Sequence, residues 1–262
     1  MAFAFSSITM AAGFDRLTRR ASAAWNVGQN LLFPPVCACC DSPLDDGADG
    51  VLVCHACREQ VVARQPACRR CGAAAPPECA DADGCAQCRP KRLRVDSVVR
   101  LGHYQSLLRT CVLRAKAARE QPLTAALADL LILHRAAELK ALNVDVVVPV
   151  PMHWSRRALR GASSPEILAE RLARLLGVPT APFLLRRIRR TRSQADLSPT
   201  ARLANVRGAF RATAHPDLTG ARALIVDDVY TTGATANEAA RTLKRAGAAY
   251  IGVAVLARAE HA

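Results

Sequence analysis

Ala223-Leu224-Ile225-Val226-Asp227-Asp228-Val229-Tyr230-Thr231-Thr232-Gly233-Ala234-Thr235 is three physical pieces in a row. An apolar run, read as a strand over Arg222–Val226, comes first. Two adjacent carboxylates, Asp227 and Asp228, follow at its C-terminal end, where open α/β sheets bind their ligands. A small, hydroxyl-rich turn with one glycine then leads into a helix read over Thr235–Ala246 and closed by Gly247. Backbone N–H groups at such a turn point outward, Thr231 and Thr232 add hydroxyl donors, and the helix dipole lies behind them, which makes a phosphate cradle. Paired acids repel a phosphate but suit a diol, or a Mg2+ ion bridging hydroxyls and phosphates. Together the pieces describe a site for a ribose 5-phosphate.

The flanking sequence alternates strands and helices. Val95–Tyr104 has strand character, and Gln105–Ala118 and Leu123–Leu142 repeat their apolar positions at helical spacing. Val144–Val148 reads as a short buried strand ended by Pro149 and Pro151. Ser164-Pro165-Glu166 starts a helix that runs to Gly177, with Ser164 as N-cap. Ala181–Leu185 is a candidate strand, Arg186–Gln194 reads as a mobile basic loop, and Tyr250–Leu256 is the final strand. This order implies an α/β fold: a parallel sheet with helices on both faces.

The N-terminal third is different. Ten of the 11 cysteines lie between residues 37 and 88, and eight form four Cys-x2-Cys pairs: Cys37/Cys40, Cys54/Cys57, Cys68/Cys71 and Cys85/Cys88. Thirteen residues separate the inner members of each half, and the second half repeats the first at an offset of 31. Two thiolates on one tight turn meet a tetrahedral ion from one side, and a second turn returned by a hairpin closes the sphere. The spacing therefore predicts two structural zinc ribbons, each too small to fold without metal. Disulfides need an oxidising compartment, and no export signal is legible. Sequential and crossed pairing of the knuckles both fit the spacing. Cys39 and Cys79 are spare thiols that could replace a neighbour, and Cys111 reads as a buried small hydrophobe.

The 262 residues carry a formal net charge of +14, with 36 basic and 22 acidic side chains. Residues 1–90 hold 8 basic and 9 acidic groups, and residues 91–262 hold 28 and 13, so the positive field belongs to the C-terminal part. Such a field favours polyanions. The densest run is Arg186, Arg187, Arg189, Arg190 and Arg192, which on composition alone is a solvated basic loop. With 51% apolar residues, wholesale disorder is excluded, and no apolar run approaches a membrane span. Arg16, Arg19 and Arg20 follow the short N-terminal apolar run, the reverse of a secretory signal, so a cytoplasmic protein is expected. Three segments follow: an extension at 1–30, partly helical; a double zinc ribbon at 31–90; and the sheet domain at 91–262.

The segment around Asp227 resembles the phosphoribosyl pyrophosphate (PRPP) signature of type I phosphoribosyltransferases. The chain as a whole resembles the ComF family, proteins of the ComFC type associated with natural competence. The likeness rests on the ribbons preceded by Leu31-Leu32-Phe33-Pro34-Pro35, on Val148-Pro149-Val150-Pro151-Met152-His153, on Arg160-Gly161, and on Arg192-Ser193-Gln194-Ala195-Asp196-Leu197 with Arg202, Asn205-Val206, Gly208 and Phe210. Two places depart from the family pattern. Ala162-Ser163-Ser164 stands where Phe-Asn-Gln is usual, and Ala117-Ala118 follows Lys116 where an aromatic residue and then Gly are usual.

The resemblance implies that Asp227 and Asp228 hold the ribose hydroxyls, with Mg2+ accompanying PRPP. It implies that Thr231, Thr232, Gly233, Ala234 and Thr235 wrap the 5-phosphate, and that Pro149, Val150 and Pro151 form the pyrophosphate loop. Arg186–Gln194 becomes a loop closing over substrate or touching DNA, with Arg192 joining the two acids as a catalytic candidate and Gln194 at its end. His103 and His153 have no partner legible in sequence, and Trp154 could pack or stack a base. Two functions follow. One is a PRPP-binding, phosphoribosyltransferase-like protein that handles single-stranded DNA during uptake, with a competence helicase or other DNA-processing protein as partner. The other is an active PRPP-dependent glycosyltransferase of nucleotide metabolism with an unknown acceptor.

Overall fold

The computed structural model describes residues 34–44, 49–76, 84–152, 163–189, 191, 199–213 and 217–260. The extension at 1–30, Cys79, His153, Trp154, Arg160-Gly161, Arg190 and the stretch 192–198 lie outside the described residues.

Among its described residues the ribbon region contains one helix, α1 (His55–Val61), and repeats itself in three dimensions. Val36 bridges Pro43 as Ala67 bridges Ala74, and the Cys37 N–H donates to Ser42 O as the Cys68 N–H donates to Ala73 O, all at the offset of 31. Both knuckles turn through a left-handed residue, Asp41 in the first and Gly72 in the second. Gly72 is needed, because a Cβ there would lie 2.8 Å from Val98 Cγ1.

The sheet domain runs β1 (Ser97–His103), α2 (Ser106–Arg114), α3 (Gln121–Ala141), β2 (Val146–Pro149), α4 (Ser164–Leu176), β3 (Leu185–Arg187), α5 (Pro199–Val206), β4 (Phe210–Ala212), β5 (Arg222–Tyr230), α6 (Ala234–Arg245) and β6 (Tyr250–Arg258). Four strands form one parallel sheet in the order β1-β6-β5-β2, and β3 pairs antiparallel with β4. The strands read as continuous apolar runs because both faces are covered. Leu224, Val226, Ala254 and Leu256 pack with α2, α3, α4 and the first ribbon. Ala223, Ile225, Val253 and Val255 pack with Ala236, Ala239, Ala240 and Leu243 of α6.

Some boundaries differ from the sequence reading. β5 continues past Val226 because Asp227 pairs in register with Val255, and Val229 with Ala257. The candidate strand Ala181–Leu185 is displaced: Thr180 makes only an isolated bridge to Val147, and the strand proper is Leu185–Arg187. The N-cap of α4 is Ser163 rather than Ser164. Its backbone N–H donates to Glu166 Oε2 at 2.8 Å in a capping box, while the Ser164 hydroxyl donates to Ala115 O. The cap and the first turn thus share the two serines.

The ribbons do not hang free of the sheet. They cover the outer edge of β1, where the Val98 N–H donates to Arg69 O at 2.7 Å and the Ala63 N–H donates to Leu101 O at 2.9 Å. Cys37, Cys39, Val53 and Val61 belong to the same buried core as Leu101, Leu108 and Leu127.

Candidate functional site

The turn Thr231–Gly233, the candidate phosphate loop, joins β5 to α6. Gly233 is left-handed at φ 78°, and a Cβ there would fall 2.3 Å from Tyr230 Oη, so neither the turn nor the space admits a side chain. Thr232 Oγ1 accepts from the Ala234 N–H at 3.3 Å, and α6 begins at Ala234. Asp227, Val229, Tyr230, Thr231, Gly233, Ala234, Thr235 and Ala236 line one small cleft over this helix N-terminus. Lys244 and Arg245 occupy the last turn, so charge along α6 complements its dipole and leaves the N-terminal end receptive to anions.

The two acids separate. Successive strand residues face opposite sides, so Asp227 turns to the α6 side and lines the cleft, and Asp228 turns toward α2. There Asp228 Oδ2 lies 3.8 Å from Lys116 Nζ. Burial, and then the charge of Asp228, push the Asp227 carboxyl well above the usual value, while the Arg187 guanidinium pulls it back down. A carboxylate left so poorly compensated inside a cleft is a ligand-site signal. The loop at Pro149, Val150 and Pro151 leaves the sheet beside these acids: Pro149 pairs in register with Val226, and the Val150 N–H donates to Val226 O at 2.8 Å.

The basic segment divides. Arg186 and Arg187 are in β3, not in a loop, because Leu185 and Phe210 anchor the hairpin in the core. Arg187 lies over the Phe210 ring at 5.6 Å and bonds Thr191 Oγ1. Arg189 donates to the carbonyls of Asn205 and Arg207, each at 2.9 Å, at the C-terminal end of α5. Arg186 is exposed and stands directly opposite the exposed Arg211. Arg190, Arg192 and Gln194 lie outside the described residues. Lys116 was not among the sequence candidates for this site, and its only signal was its place in the departure from the family pattern. His103 stands apart from the cleft, between Arg100 Nη1 at 2.9 Å and Glu260 at 3.1 Å.

Eight cysteines gather into two sets, Cys37/Cys40/Cys54/Cys57 and Cys68/Cys71/Cys85/Cys88, with the four sulfurs of each set within 4.8 Å of one another. The pairing is therefore sequential. The Cys54 N–H points at Cys37 Sγ and the Cys85 N–H at Cys68 Sγ, both at 3.3 Å, which is the support a metal-bound thiolate receives in a knuckle. Four soft sulfur donors and no open position fit zinc in a structural role. Cys39 turns away from its cluster into the core that holds Cys111. Metal analysis of the purified full chain is expected to return two zinc ions per chain. A single ion would mean that one of the two sets is degenerate.

Family models match the chain as a double zinc ribbon domain over residues 28–89 and a phosphoribosyl transferase domain over residues 162–262. The chain is 31% identical over 229 residues to Competence protein F of Haemophilus influenzae, covering 85% of this chain and 96% of that one. It is 34% identical over 232 residues to the DNA utilization protein YhgH of Salmonella typhimurium, covering 87% of this chain and 99% of that one. A solved purine phosphoribosyltransferase from Pyrococcus horikoshii is similar at 23% identity over 62% of this chain and 78% of that one. Its TM-score is 0.32, which carries no functional weight. By its similarity over nearly the whole length of these competence and DNA-utilization proteins, the chain belongs to the ComF family, a double zinc ribbon joined to a phosphoribosyltransferase-type domain.

Proposed function

We propose that the protein binds PRPP or a related ribose 5-phosphate with Mg2+, and that it acts on single-stranded DNA in the cytoplasm during DNA uptake and use. The observation that carries the first half is the cleft itself. The poorly compensated Asp227 carboxylate shares one small space with Thr231, Gly233 and the N-terminus of α6, which suits a diol and a phosphate on one sugar. Asp227 and Asp228 would hold the ribose hydroxyls or Mg2+, and the loop would hold the 5-phosphate. Pro149–Pro151 and Lys116 would face the pyrophosphate side. In the parent chemistry a nitrogen nucleophile displaces pyrophosphate at C1 of the ribose, and the protein contributes positioning, charge neutralisation and exclusion of water. Glycosyl transfer to an acceptor remains the second reading, favoured by Lys116 beside Asp228, a cation where a leaving group would need one.

The DNA half draws support from the names of the family's relatives and from the β3–β4 hairpin. Like charges directly opposite on a sheet repel, and no carboxylate among the described residues is paired with Arg186 or Arg211. A phosphate backbone would relieve that repulsion. Among the described residues no helix is long and apolar enough to cross a membrane.

Calorimetric titration with Mg2+·PRPP, repeated with single-stranded DNA, tests both halves. Micromolar or tighter DNA binding is expected at ~50 mM salt, falling steeply as salt rises. Replacing Arg186 and Arg211 by Ala should weaken it and flatten the log–log salt slope by about 0.7 for each lost phosphate contact. No binding at that salt removes the DNA reading and leaves the plain enzyme.

A further inference from the structure

Arg258 ends β6 with only 4% of its surface exposed. Its Nε donates to Cys71 O at 2.9 Å, and Cys71 belongs to the second cysteine set. Its Nη1 donates to Thr231 O at 2.9 Å and to Tyr230 O at 3.4 Å, and it also bonds Ala259 O. The same guanidinium lies over the Tyr230 ring at 5.1 Å, and Tyr230 Oη sits beneath Gly233. One buried side chain, 187 residues along the chain from Cys71, thus joins a metal knuckle to the first residue of the phosphate loop.

We propose that Arg258 is a positioning residue that makes the geometry of the phosphate loop depend on the second cysteine cluster. The ligand of the loop rests on the ribose-phosphate reading of the cleft, whereas the coupling itself is a property of the fold. Among the described residues no carboxylate pairs with Arg258. Its charge is held by carbonyl oxygens and the face of the Tyr230 ring. A buried cation held this way is sensitive to the loss of any one partner. When the second cluster opens, Cys71 O moves away and the guanidinium loses the partner that fixes its plane. The Tyr230 and Thr231 carbonyls, the Tyr230 ring and Gly233 above it then lose their common support. The first cluster has its own guanidinium bridge, Arg114 to Cys39 O at 2.8 Å, which ends at Glu120 and does not reach the loop.

Hydrogen exchange over residues 229–235 and at Ala259, read together with zinc content and with Mg2+·PRPP calorimetry on the full chain, tests the coupling. Arg258→Lys keeps the buried charge but cannot span both sets of carbonyls. Exchange of the hydrogen-bonded Val229 and Ala234 amides, and of the Ala259 amide that donates to Tyr230 O, is expected to accelerate at least about tenfold, the scale of one lost hydrogen bond to a charged group, while protection in β1 stays unchanged. Cys85→Ser, with one zinc lost, should produce the same local acceleration. The double variant should exceed neither by more than about twofold, because both act through one contact. Arg114→Lys should leave loop exchange at the wild-type rate. PRPP affinity should fall in parallel with loop protection. Wild-type exchange in Cys85→Ser, or acceleration spread evenly over the sheet in Arg258→Lys, overturns the proposal. If wild-type protein shows no PRPP binding while the exchange pattern holds, the coupling stands and the ribose-phosphate reading falls.

Discussion

Replacing Asp227 and Asp228 together by Asn is expected to abolish PRPP binding and, at neutral pH, to raise the unfolding temperature of the ligand-free protein. Two charge-accepting contacts to ligand disappear, a loss of about 3 kcal/mol or more, beyond a hundredfold in affinity. The stabilisation follows from the direction of the Asp227 shift, raised above 3.8 by burial and by Asp228. The native carboxyl holds its proton to higher pH than the unfolded one, so the native state binds more protons in the window between the ordinary and the raised value. Stability therefore falls as pH rises through that window, and the whole penalty is present above it. Asn carries no charge to desolvate. The Lys116–Asp228 pair is partly exposed on both sides and its loss costs at most about 1 kcal/mol. Each kcal/mol relieved should raise the midpoint by about 2–4 °C. Thermal unfolding against pH, with calorimetry, reads both effects. Unchanged PRPP binding would place the ligand elsewhere, and a collapse of the fold would give the acids a structural role.

Gly102→Ala is the second large effect expected. A Cβ on Gly102 would lie 2.0 Å from Val61 O and 2.7 Å from Leu108 Cδ2. The first neighbour is backbone at the end of α1, so no side-chain rotation relieves it. Overpacking of this kind costs about 1–3 kcal/mol, and here it also pushes the first ribbon off the edge of β1, where the Ala63 N–H meets Leu101 O. The midpoint should fall by several degrees, and limited proteolysis should cut the ribbon region before the sheet. Wild-type resistance to protease in this variant would mean that the ribbon does not depend on this seat.

What the chain discloses without coordinates is whatever its chemistry repeats or concentrates locally. The offset of 31 in the cysteines carried both clusters, and the run from Ala223 to Thr235 carried a strand, the two acids and the glycine turn into α6. Strand length was harder to read: Asp227 and Asp228 are poor strand formers, kept in β5 by their register with β6. The hairpin of β3 and β4 has three residues on each side, too few to display an alternation. Lys116 and Arg258 act as single residues, with no spacing to announce them. The docking of ribbon on sheet runs through Val98 N, Leu101 O and Cys71 O, and main-chain atoms leave no trace in sequence.

The strand order β1-β6-β5-β2 has a consequence for how the chain assembles during translation. β6 follows every other described strand in the chain, yet it lies between β1 and β5 in the finished sheet. All eight cluster cysteines fall within residues 37–88, so the ribbons can load metal and set while the rest of the chain is still being made. β1 emerges soon afterwards but gains its neighbour only when residues 250–258 arrive, together with the Arg258 side chain that locks ribbon to loop. Closure across such sequence distances is slow and leaves apolar faces exposed meanwhile. An early-setting metal unit on the outer edge of β1 would guard it against pairing with a second nascent copy, so zinc starvation during synthesis is expected to lower the yield of folded protein as well as its final stability.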